Sequence, residues 1–95
     1  MGDDRSEVKK LSYRISRSVR EGGQLIRVEG ALDRGGAAAL RREYYSAETA
    51  VLLDLSGLRR ADPDGIEVLQ SLVADGAELT GASPYILLLL GERQQ

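Results

Sequence analysis

Two aspartates, Asp62 and Asp64, flank Pro63 and lead into Gly65. Carboxylates at this spacing could open a calcium loop, act as an acid and base pair, or satisfy the free amides at a helix start. A calcium loop needs further oxygen ligands, including a late bidentate glutamate, and these are missing here. Acid and base work needs a pocket that drives the two pKa values apart, and solvent-facing loop carboxylates lack one. Capping needs only a carboxylate within reach of orphan N–H donors, with Pro63 stiffening the turn. The rest of the chain narrows the chemistry further. It has no Cys, which removes disulfides, thiolate zinc sites and cysteine nucleophiles. It has no His, which removes the commonest general base and the commonest transition-metal ligand. A chain that is no enzyme, holds no metal and needs no cofactor is expected.

Positioning such a turn takes a folded domain. Ninety-five residues suit a single one over residues 11–95, because a divided chain would leave neither half enough core. Residues 1–10 hold only Val8 as an apolar residue beyond the initial Met and read as a flexible tail. A composition of 42% hydrophobic and 29% charged residues is that of an ordinary globular protein. The 13 basic and 15 acidic residues nearly cancel, so no field draws the chain to nucleic acid. The longest apolar run, Tyr85 to Leu90, falls far short of the roughly 20 residues of a spanning helix, and no signal-peptide core opens the chain. A cytoplasmic location without membrane insertion is the expectation.

Leu11, Tyr13 and Ile15 alternate with polar residues, which predicts a strand to about Val19. Arg20 to Gly23 supply turn chemistry, and Gln24 to Glu29 resume as the second strand of a β-hairpin. Asp33 is placed to cap a helix from Arg34 to about Tyr45, although Gly35 and Gly36 weaken its first turn by about 1 kcal/mol each. Ala50 to Leu55, almost continuously apolar, predicts a central parallel strand covered on both faces. Ser56 to Asp64 reads as a loop, followed by an apolar helix from Ile66 that stops at Asp75 and Gly76. Ala77 to Thr80 allows a short strand, and Ser83 with Pro84 starts a last helix reaching about Leu90. This order predicts an α/β fold: a mixed sheet of about four strands, an N-terminal hairpin then parallel crossovers, with about three helices.

The step Gly30, Ala31, Leu32, Asp33, the block VLLDLSGL from Val51 to Leu58, and the turn Asp62 to Gly65 stand in the order and at the spacing of the STAS domain, the domain of anti-sigma factor antagonists. The chain resembles that family from about Leu11 to Leu90. In the family the turn reads Asp-Ser-Ser-Gly or Asp-Ser-Thr-Gly, and its first hydroxyl residue is phosphorylated by a serine kinase that is also the anti-sigma factor. The matching residues here are Asp62, Pro63, Asp64 and Gly65, so the resemblance implies that the family's phospho-acceptor is absent. Ser56, matching the serine of the family's Asp-x-Ser-x-Leu stretch, is the nearest upstream hydroxyl and a candidate alternative acceptor. The fixed acids leave two readings open: a permanently acidic, phosphate-like surface, or capping alone.

The resemblance implies a non-enzymatic regulatory module that binds a protein partner constitutively. Its switch loop would comprise Ser56, Gly57, Leu58, Asp62, Pro63, Asp64, Gly65 and Ile66. The partner would be an anti-sigma factor of the serine-kinase kind; the alternative is an ATPase, braced by this chain as the small structural STAS subunit of a lipid-transport complex. VLLDLSGL is also similar to the acceptor strand of response-regulator receivers, with Asp54 as acceptor. A receiver needs a lysine after its last strand, and Lys9 and Lys10, the only lysines, precede the fold.

Arg14, Arg17, Arg20 and Arg27 could form a basic stripe on the hairpin or a solvated edge that discourages aggregation. Adjacent Tyr44 and Tyr45 cannot both face the core from one helix. Ile86 to Leu90 are apolar all round, which calls for deep burial or for a partner surface such as a homodimer.

Overall fold

The computed structural model describes residues 12–91; the expected tail over residues 1–10 lies outside them. Strands β1 (Tyr13–Arg20) and β2 (Gly23–Leu32) form the hairpin, with Tyr13 opposite Gly30 and Arg20 opposite Gly23. Gly22, at φ 86°, makes the tight turn that a side chain would resist. Helix α1 (Arg34–Ser46) leads to β3 (Val51–Ala61), then come α2 (Pro63–Ala74), β4 (Glu78–Thr80) and α3 (Pro84–Leu90). The sheet order is β1-β2-β3-β4, with β2, β3 and β4 parallel, which is the mixed sheet and three helices expected from the sequence.

One face of the sheet carries the core. Ile26, Val28, Val51, Leu53, Leu55 and Leu58 meet Leu40 of α1, Leu69 and Leu72 of α2, and Ile86 and Leu90 of α3, all buried. On the opposite face Arg14, Ser16, Arg27 and Ser56 are exposed. β3 is therefore covered on one face rather than both. The apolar run that implied two covered faces breaks at Asp54, and the period of two puts Asp54 and Ser56 together on the open face.

The segment from Ser56 to Asp64 is not the loop expected. β3 continues through Ala61, because β2 also continues, to Leu32, and supplies backbone partners: Glu29 opposite Gly57, Gly30 opposite Leu58, Leu32 opposite Ala61. The register shifts between Arg27 and Glu29 and again between Gly30 and Ala31, so SGLRRA lacks the clean alternation that marks a strand.

Two helix starts follow the capping chemistry of their residues. Asp33 accepts from the Gly36 amide at 2.9 Å and Ser83 from the Ile86 amide at 3.2 Å. Gly36, a poor helix former, is required by packing: a Cβ there would lie 2.9 Å from both Leu32 Cδ1 and Tyr13 Cδ1. At the far ends of α1 and α2, the Tyr44 hydroxyl donates to the Asp75 carbonyl at 3.3 Å, and the hydroxyl of exposed Tyr45 donates to the Asp75 carboxylate. That carboxylate holds the Tyr45 phenol above its ordinary pKa. No helix among the described residues is long and apolar enough to cross a membrane.

Candidate functional site

The parallel strands β2 and β3 end side by side, so the helices that follow them begin side by side. The Asp62 amide donates to the Leu32 carbonyl at 3.0 Å, tying the start of α2 to the end of β2. Gly65, in the first turn of α2, is buried against the same residue, where a Cβ would lie 2.5 Å from the Leu32 carbonyl oxygen. Only a glycine allows this approach. Gly65 thus fixes how closely α2 approaches the end of β2.

Asp62 occupies the N-cap position of α2, but its side chain makes no capping hydrogen bond. Pro63 follows as the first helical residue, exposed, where its missing N–H leaves no donor unsatisfied. Asp64 is directed to α1: its Oδ2 lies 3.2 Å from Arg34 Nε. Neither acid caps α2 through its side chain, which corrects the capping expectation. Tertiary proximity of the α1 start draws Asp64 away, and Asp62 stands out in solvent.

The start of α1 is built differently. Asp33 accepts from the Ser12 hydroxyl at 2.6 Å on one oxygen and from the Gly36 amide on the other. Those two donors, Ser12 foremost, hold its carboxyl below the ordinary 3.8. Ser12 and Arg34 have no marker in the sequence as site residues; each is placed here only by pairing across the sheet or between helices.

The expected switch loop divides in two. Asp62, Pro63, Asp64, Gly65 and Ile66 share the α2 start, whereas Ser56, Gly57 and Leu58 lie within β3, Ser56 about 20 Å of strand away from Asp62. Leu58 is buried in the core, and Gly57 lies under the Glu29 side chain, 2.7 Å from a Cβ position to Glu29 Cγ. Ser56 is exposed on the open face, its hydroxyl and amide donating to Asp54 Oδ1 at 2.7 and 3.0 Å. Arg27 Nε holds the other Asp54 oxygen at 3.2 Å. The Ser56 amide, then its hydroxyl, then Arg27 lower the pKa of Asp54. Asp54 is therefore a half-buried, fully engaged sheet residue, not the open acceptor of a receiver. A phosphoryl group on Ser56 would set a dianion against that carboxylate, which argues against Ser56 as an acceptor.

Of the hairpin arginines, Arg17 pairs with Glu43 at 3.3 Å and Arg27 with Asp54, while Arg14 and Arg20 are exposed. α3 buries Ile86 and Leu90 and leaves Tyr85, Leu87, Leu88 and Leu89 exposed, so its apolar circumference is divided between core and surface. Beside the α2 start a shallow groove of about 580 Å³ runs between Pro63, Ile66 and Gln70 on one side and Tyr85 and Leu89 on the other. Gln70 did not stand out in the sequence and Tyr85 did so only as the start of an apolar run, since the groove exists only once α3 lies along α2. Among the described residues no three acidic, His or Cys side chains cluster as metal ligands would.

A four-stranded mixed sheet, an antiparallel hairpin followed by parallel strands, with three helices is the fold of a STAS domain. The family model described as "Mlab, STAS domain" matches residues 15–88, and the chain belongs to the STAS domain family. The fold is similar to the crystal structure of an antisigma-factor antagonist STAS domain from Rhodobacter sphaeroides, with a TM-score of 0.56 and 22% identity over 76% of this chain and 92% of that one. It is similar also to the anti-sigma factor antagonist SpoIIAA in its unphosphorylated form, with a TM-score of 0.60 and 19% identity over 81% of this chain and 79% of that one. No curated protein matches the chain by sequence.

Proposed function

We propose that the chain is a non-enzymatic regulatory interaction module, similar to an anti-sigma factor antagonist, which docks on a cytoplasmic protein partner through the α2 start from Asp62 to Ile66. The observation that carries the reading is Pro63: exposed at the first position of α2, it stands where the family's turn has the hydroxyl that is phosphorylated. A proline accepts no phosphoryl group, so binding is constitutive rather than switched. Asp64 carries about half to two-thirds of the charge of a phosphate and faces Arg34, so the acidic turn is not a full phosphate mimic. The fold likeness to two anti-sigma factor antagonists supports the class.

Incubation with a cognate serine kinase should leave the protein unlabelled, and stoichiometric phosphate anywhere from Ser56 to Ile66 would overturn the reading. Capture from the native cell identifies the partner. A second reading, a structural subunit bracing an ATPase of a lipid-transport complex, is favoured by the exposed apolar flank of α3 beside a turn that cannot be switched. Recovery of an ATPase with its permease would establish that reading over an anti-sigma kinase.

A further inference from the structure

The groove between α2 and α3 has a distinct chemistry from the turn that opens beside it. Pro63, Ile66, Tyr85 and Leu89 give it apolar walls beside Gln70, and Leu88 on the same helix as Tyr85 and Leu89 is 69% exposed. Glu67 lines the groove, and Asp62 immediately precedes Pro63 at its end. Asp62 and Glu67 are exposed, and among the described residues neither meets a basic side chain, whereas Asp64 is already held by Arg34.

We propose that this groove receives an amphipathic helix of the protein partner, one that lays apolar side chains between α2 and α3 and sets a basic residue over Asp62 and Glu67. The proposal rests on the reading that partners dock at the α2 start, and it specifies the chemistry of what docks. A trough between two helices accepts a third through anchors spaced at i, i+3 and i+4. Its charge selects among the occupants of such a trough. Two exposed carboxylates that meet no basic side chain among the described residues repel anionic lipid and acidic helices and favour a cation. They also disfavour the α3 of a second copy, because its sequence, PYILLLL, has no basic residue, and Ile86 and Leu90 already face the core.

The test uses the full chain, labelled for NMR, and two 14-residue model helices with the same leucine face, one with lysines and one with glutamates on the polar face. The lysine helix should shift resonances of Ile66, Gln70, Tyr85 and Leu89 and bind about tenfold or more tightly than the glutamate helix. The exposed-site variant Glu67→Lys should cut that preference to about twofold, and Leu88→Ser should weaken both helices, with the fold unchanged in each. Equal affinity for the two helices, or shifts confined to other surfaces, would overturn the proposal. So would a concentration-dependent dimer that covers α3, or preferential binding of phosphatidylglycerol vesicles. A native partner whose footprint covers Asp62 to Gly65 but spares Tyr85 and Leu89 would sink the groove proposal alone. A partner that covers neither sinks the docking reading.

Discussion

At the start of α1, both oxygens of Asp33 are engaged, one by the Gly36 amide and one by the Ser12 hydroxyl. At the start of α2, the residue in the same position, Asp62, makes no side-chain capping hydrogen bond, and the next acid, Asp64, is turned toward Arg34. The two helices follow neighbouring parallel strands and begin next to each other, so the contrast does not come from topology. It comes from what crosses to each start. β1 brings Ser12 to Asp33, while nothing among the described residues comes to Asp62. The α1 start is closed as a piece of structure, and the α2 start leaves Asp62 and Pro63 exposed.

The contrast can be broken most severely at Gly65. Gly65→Val forces a side chain against the Leu32 carbonyl, and an unfolding titration should show a loss of about 3 kcal/mol or more, with α2 displaced. Leu32→Ala, which removes the buried side chain under both helix starts, should cost about 2–5 kcal/mol. A result below 1 kcal/mol for either, on the order of a surface change, would mean the two starts are not anchored on Leu32.

The next effect separates the two starts directly. Asp33→Ala should lower the thermal midpoint by about 4–8 °C, whereas Asp62→Ala should change it by about 2 °C or less. Equal shifts would erase the distinction between a closed and an open start. Acid adds a second measure, since Asp33 and Asp54 are both held below the ordinary 3.8 in the folded chain. A depressed carboxyl pKa contributes stability that is fully present above the unfolded value and is lost as pH falls through the folded one. The wild-type protein should therefore lose stability below about pH 4, and Asp33→Asn should flatten that decline. An unchanged acid limb in the variant would remove Asp33 from it.

Pro63→Ser leaves the helix start geometrically sound and adds the missing hydroxyl. It should change stability by less than about 1 kcal/mol, yet turn an unlabelled protein into a kinase substrate. Failure of the variant to be labelled would locate the block in the flanking acids rather than in Pro63. Least of all should come from Arg34→Ala, because an ion pair with Arg34 at 89% side-chain exposure is screened by solvent and salt. Its effect should vanish in high salt.

Much of this was legible locally. The hairpin at Gly22, the caps Asp33 and Ser83, the Gly76 stop and Pro63 at a helix start each follow from the chemistry of a few adjacent residues. Local pattern decides such features because caps, turns and the period of apolar residues are interactions between near neighbours in the chain. The course of Ser56 to Ala61 was not legible, because those residues are held as a strand by the backbone of β2, with two register shifts that spoil the alternation. The partition of the expected loop, the pair Arg34–Asp64, the collision that requires glycine at 65, and the groove along α3 all depend on residues distant in sequence. The chain by itself determined the class of fold and the Asp-Pro-Asp-Gly sequence at the start of α2. Only the tertiary structure decided which acids are engaged and which stand free, since an aspartate's role depends on the donors that folding brings within reach.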